Sequence, residues 1–180
     1  MADTTFITND SNKKLKARIA QLIIHSKELK FLVGFFYFSG IRELYDSLNS
    51  NLTLQLNVLV GLNVDKTIHG LLEYGDNQKG STDKEKFEQL LVSASKSINS
   101  NDFDNQEFYN QAKFFIDAIK QDRLRIRKTY DPNHAKLYIF EIKDEDAWLK
   151  SKFFITGSSN LTRAGLSQQN EFNVEISDYV

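Results

Sequence analysis

Apolar positions recur along this chain with two different periods. Leu15, Ile19, Leu22 and Ile23 fall three and four residues apart, the spacing that gives a helix one buried face, so Leu15 to Ile24 reads as a helix. Ile41, Leu44, Tyr45 and Leu48 repeat the pattern between Gly40 and Asn51. Lys84 to Ile98 and Glu107 to Lys120 read as two further helices, separated by the polar run Asn99 to Asn105. Between and after these lie runs rich in branched and aromatic residues, the composition of strands. They are Phe31 to Tyr37, Thr53 to Val60, Leu124 to Lys128, Lys136 to Ile142, Lys152 to Thr156 and Phe172 to Ile176. Gly75 to Thr82 reads as an exposed loop. Strands interleaved with helices predict an α/β fold, a mixed β-sheet flanked by helices, as a single domain over residues 1–180 with no repeat or linker.

Composition narrows the setting. With 180 residues and 41% hydrophobic content, the chain can bury a core without covalent staples. Cysteine is absent, which excludes disulfides and thiolate metal sites and fits a reducing cytoplasm. The start, Met1 to Phe6, lacks the basic and apolar regions of a signal peptide. Phe31 to Phe38 is the most apolar stretch, but it falls far short of the roughly 20 residues of a membrane span. It reads as a buried strand.

The chemistry concentrates near the C-terminal end. His134-Ala-Lys136 follows the turn-like Asp131-Pro132-Asn133 and opens a strand-forming run. Residues two apart on a strand share a face, so His134 and Lys136 project together, with Ala135 and Leu137 opposite. An imidazole can attack phosphorus and hold it covalently, while an adjacent ammonium offsets charge on the non-bridging oxygens. Neither task needs a metal. Gly157-Ser158-Ser159-Asn160 then reads as a tight turn entering a short helical segment, where Ser158 and Asn160 offer hydroxyl and amide donors to a phosphate. Glu171 opens the last strand. Its carboxylate is expected to accept the Nδ1 proton of His134, which fixes the tautomer and leaves Nε2 to attack.

These residues resemble the phospholipase D superfamily, whose signature is H-x-K-x4-D followed by G-S-x-N and, in compact members, a glutamate on the next strand. His134, Lys136, Gly157, Ser158, Asn160 and Glu171 carry the match, and Asn160 and Glu171 stand eleven positions apart, a separation similar to that in the small nuclease members. Two positions depart from the pattern. Glu141 replaces the usual aspartate on the scaffold side, and Lys143 to Ser151 lengthens the gap between the motifs as a hairpin excursion. His25-Ser26-Lys27 is a second H-x-K, but no G-S-x-N follows it, and His69 stands alone; both read as ordinary surface or core-edge histidines.

The resemblance implies a phospholipase D-like lobe whose catalytic residues are His134, Lys136, Asn160 and Glu171, with Ser158 and Arg163 meeting substrate phosphate and no cofactor. It also implies two H-x-K motifs per site, one histidine attacking and the other protonating the leaving oxygen. A chain with one credible copy is therefore expected to form a homodimer, unless the second copy lies elsewhere in a longer protein. The run Ser158 to Leu166 is most similar to domains of restriction endonucleases and of bacterial Swi/Snf-like helicases, which implies DNA as substrate and fused or associated helicase domains as partners. Arg123, Arg125 and Arg127 would share one strand face just before the first motif. Such a row suits a nucleic-acid backbone, and equally suits a solvated face paired with acids such as Asp122. A net charge of -1 leaves polyanion binding to local patches. Two other readings remain open at this point: a non-catalytic module that grips DNA or dimerises a helicase, and a phospholipid-acting relative, although no amphipathic segment announces a membrane surface.

Overall fold

The computed structural model describes residues 3–10, 14–65, 67–69, 105–147 and 150–178. The helix read over Lys84 to Ile98, the polar stretch from Asn99 and the loop from Gly75 to Thr82 lie outside the described residues.

Helix α1, Leu15–His25, buries Leu15, Ile19, Leu22 and Ile23, the four residues whose spacing marks it. Its N-terminus is capped at a distance. Asn9, held at φ 61°, accepts from the Leu15 N–H at 2.9 Å through Oδ1 and donates through Nδ2 to the Gly165 and Gln169 carbonyls. At the far end Asn51 donates to the carbonyls of Ile23 and Ser26, satisfying groups that a helix terminus leaves unpaired.

Strand β2, Ser26–Phe36, follows α1 without a loop and starts five residues before the apolar run that announces it. The helical pattern from Ile41 to Leu48 divides into α2, Phe38–Arg42, and α3, Tyr45–Ser50. Strand β3, Gln55–Val64, runs past the expected end at Val60. Helix α4, Asn105–Lys120, then leads to β4, Leu124–Lys128. Strands β5, Leu137–Ile142, β6, Lys152–Gly157, and β7, Asn173–Ser177, follow, with a π-helical turn at Ala164–Gln168 before β7. One strand was not anticipated: β1, Asp3–Ile7. It pairs with β7 at the sheet edge.

The seven strands form one sheet in the order β1-β7-β6-β5-β2-β3-β4. Pairing is parallel among β2, β3 and β4 and antiparallel from β2 through β5, β6 and β7 to β1. β2 is thus the junction between a parallel half and a meander, and in open sheets such switch points are where sites form. One face carries the core. Leu29, Phe31, Val33, Val58, Val60, Tyr138, Phe140 and Ile155 are buried there with the inner residues of α1 and with Phe108 and Phe115 of α4. Phe38 reaches both α4 rings, at 5.3 and 5.8 Å between centroids. The register puts Leu59, Leu32, Leu137, Thr156, Val174 and Phe6 in one cross-strand row on the opposite face.

No described helix is long and apolar enough to cross a membrane.

Candidate active site

The first motif lies just outside the strand that was expected to hold it. Residues 132–136 are extended coil and β5 begins at Leu137, because this segment is tied to β3 rather than laddered to its neighbours. Asn133 donates its N–H to the Gly61 carbonyl at 3.1 Å, and a Cβ on Gly61 would lie 1.8 Å from the Asn133 carbonyl oxygen. Glycine alone allows that approach. The Asn133 side chain in turn accepts from the Ala135 N–H at 2.8 Å.

The expected alternation survives in this geometry. Lys136 places Nζ 2.9 Å from Nε2 of His134 and donates to the His134 carbonyl at 2.6 Å. An ammonium has no lone pair, so Nε2 is the acceptor and the neutral ring carries its proton on Nδ1. Lys136 is only 5% exposed, whereas His134 is open to solvent. Burial draws the Lys136 ammonium below the ordinary lysine range, and the Glu171 carboxylate opposes that shift.

Beneath the histidine lies Gly34, at a register shift in β2. A Cβ there would stand 2.9 Å from Cδ2 of His134 and 3.2 Å from Oδ1 of Asn160. Phe35 then meets the His134 ring edge-on at 6.1 Å, and its N–H donates to Asn160 Oδ1 at 2.9 Å. With its oxygen anchored, Asn160 keeps its NH2 as the group that can donate to a ligand.

The second motif is locked to the first through hydrogen bonds in and beside the core. Tyr138, two residues beyond Lys136 and fully buried, donates its hydroxyl to the Ser159 carbonyl at 2.8 Å; burial pushes that phenol far above its usual range. Ser159 Oγ accepts from the Asn173 side chain at 2.9 Å. Thr156 donates to the Lys136 carbonyl at 2.8 Å.

Glu171 is placed beside this cluster but bonded differently from expectation. Its carboxylate accepts from Ser158 Oγ, and no hydrogen bond joins it to His134. Register explains the choice: Ser158 donates its N–H to the Phe172 carbonyl, extending the β6–β7 ladder so that Ser158 and Glu171 become neighbours. Glu141 faces away from the site and pairs with Lys30 at 2.8 Å, as its scaffold reading requires.

A groove of about 1020 Å³ opens next to Asn160 and Glu171, walled by Phe35, Tyr37, Glu43 and Arg163. Arg163 pairs with Glu43 at 3.5 Å, and the other oxygen of Glu43 takes Lys16 at 2.6 Å. Sequence reasoning missed Gly34, Phe35, Glu43 and Tyr138. Only Gly34 carried a signal, since a glycine inside an apolar strand marks close approach of another group.

The arginine row is divided. Arg125 and Arg127 share the open sheet face, but Arg123 precedes β4 and lies over the Phe114 ring of α4 at 5.8 Å. Arg125 is paired with Asp122, the solvated alternative. His25 and Lys27 pair with Asp146 and Asp144 at the other end of β2, remote from His134. His69 is exposed.

A mixed sheet with H-x-K and G-S-x-N segments brought together at its switch point defines a phospholipase D-like lobe. Residues 19–179 match the family model described as "Cardiolipin synthase, PLD-like domain", and the chain belongs to that family. Similar solved structures include the phospholipase D family member Nuc from Salmonella typhimurium, with 13% identity and a TM-score of 0.48 over 99% of this chain and 84% of that one. NucT from Helicobacter pylori gives 11% and 0.45 over 99% and 87%. Yeast tyrosyl-DNA phosphodiesterase gives 10% and 0.45 over 98% of this chain and 32% of that one. No curated protein matches.

Proposed function

We propose that the chain is a metal-independent phosphodiesterase, a nuclease lobe that cleaves DNA through a phosphohistidine and works as a homodimer, alone or as the N-terminal part of a larger helicase or restriction protein. The contact between Lys136 Nζ and His134 Nε2 carries this reading. It sets a nucleophile beside a nearly buried cation, with the Asn160 amide held close by.

In the proposed course a phosphate oxygen replaces Nε2 as the acceptor of the Lys136 ammonium hydrogen bond, with the proton staying on lysine, and so uncovers the Nε2 lone pair. Nε2 forms a bond to phosphorus while the bond to the leaving oxygen breaks, and that oxygen takes a proton from the imidazolium of a second His134. Water then attacks phosphorus, the second histidine accepts its proton, and the P–N bond breaks to restore His134. Lys136 and Asn160 stabilise the charge on the non-bridging oxygens. Ser158 holds Glu171, whose carboxylate sustains the charge on Lys136, and Arg163 lines the substrate path.

A single H-x-K that is followed by G-S-x-N supports the dimer, as do the exposed Leu59, Ile176, Phe6 and Phe172 on or beside the open sheet face. An isologous interface would bring the same patch from each copy together.

The test is cleavage of labelled DNA in excess EDTA by the parent and by His134→Ala, with sedimentation alongside. Cleavage by the parent at twice the monomer mass, lost in the variant, is expected. EDTA-sensitive cleavage, or activity kept by the variant, rejects the reading.

A further inference from the structure

Tyr130 is an exception among the described large side chains. Its ring stands wholly in solvent, although burying an aromatic is normally among the larger gains in folding. The backbone beneath it is nonetheless fixed. Thr129 donates its N–H to the Val60 carbonyl at 3.0 Å and its hydroxyl to the Asp131 carbonyl at 2.6 Å, and Asn133 is clamped to Gly61 as described above. A tyrosine has two side-chain torsions, so a ring presented from a pinned turn loses little freedom when something lands on it.

Its position is also specific. His134 lies four positions after Tyr130, and chain geometry limits their Cα separation to about 14 Å. The exposed cations Arg127 and Lys128 precede it at the end of β4. A solvent-facing ring that follows two exposed cations in the chain and precedes the proposed nucleophile has the composition of a single-strand platform, in which bases stack on aromatics while the backbone follows positive charge. A duplex does not offer its base faces to such a ring.

We propose that Tyr130 stacks on an unpaired base flanking the scissile phosphate, with Arg127 and Lys128 holding neighbouring phosphates, so that the site prefers single-stranded nucleic acid. This rests on the nuclease reading. Stacking of this kind lowers KM and leaves the chemical step alone, because it engages substrate and transition state equally.

The experiment compares the parent with Tyr130→Ala, Tyr130→Leu and Tyr130→Trp on three substrates: a labelled single-stranded oligonucleotide, its duplex, and bis(p-nitrophenyl) phosphate, a diester without bases. The expected result is a rise of about tenfold in KM for the single strand in the Ala and Leu variants, parent-like behaviour in Trp, and no change on the base-free diester. Abasic sites placed one at a time along the strand should abolish the difference at one flanking position. A parent that cleaves the single strand with Tyr130→Ala equal to it overturns the inference and spares the nuclease reading. A parent that cleaves only the base-free diester overturns both.

Discussion

Lys136 holds its ammonium 2.9 Å from Nε2 of His134, so the atom assigned to attack phosphorus is occupied in the empty site. The cation that is proposed to serve the transition state also fixes the resting tautomer. Nitrogen-15 spectra of the histidine ring should show Nδ1 protonated and Nε2 unprotonated at pH 8. Adding inorganic phosphate or vanadate should move the Nε2 resonance as the ammonium turns to the anion. In Lys136→Met the resonance should start where the free imidazole lies and stay there.

Lys136 also sets a pH dependence. Burial lowers its pKa and the Glu171 carboxylate raises it, so the active ammonium form should be lost on the alkaline side below the ordinary lysine range. Glu171→Gln removes the opposing charge and should move the alkaline limb of kcat/KM to lower pH. Stability carries the opposite sign. A lysine with a depressed folded pKa opposes folding while charged, and that penalty lifts as pH rises through its folded pKa toward the unfolded value. Urea titrations of the parent, referenced to Lys136→Met, should show a relative gain across that window. An alkaline limb that does not move in Glu171→Gln removes Glu171 from this role.

Tyr138 couples the two motifs from inside the core. Its hydroxyl is the described partner of the Ser159 carbonyl, and Tyr138→Phe would leave that buried acceptor unmet. The expected cost is about 1–3 kcal/mol in urea unfolding, with a fall in kcat as the Asn160 turn loosens. Unchanged stability would mean that the turn is held by the Ser159–Asn173 bonds alone.

Gly34 is the floor on which nucleophile and donor sit. A methyl there would crowd both His134 and Asn160. Gly34→Ala should lower kcat on the order of 10- to 100-fold, the range that misplacement of reacting groups produces. The thermal midpoint, checked by circular dichroism, should change far less than the rate. A rate equal to the parent's would show that the histidine can shift without loss.

What was legible in the sequence and what was not divide along physical lines. Leu15 to Ile23 and the strand runs from Leu124 onward declare themselves through periodicity, because burial on one face is a local pattern. The pairing of His134 with Lys136 followed from alternation and survived even though the segment is coil. Strand β1 was missed because Thr4, Thr5 and Phe6 pair with β7, which lies far away in sequence. The partner of Glu171 was misread for the same kind of reason: a ladder extension of one residue decides between Ser158 and His134, and no sequence pattern encodes it. Arg123 left the expected row because the turn ahead of β4 carries it onto Phe114 instead.

The central claim is that His134 itself becomes covalently bonded to phosphorus. The most direct measurement is rapid quenching of the parent with a labelled DNA substrate in EDTA, followed by alkaline work-up and mass spectrometry of the peptide containing residue 134. The account predicts a transient phosphoryl-linked adduct on His134, formed faster than product is released and absent from His134→Ala. Turnover with no adduct, or an adduct on another side chain, would contradict it.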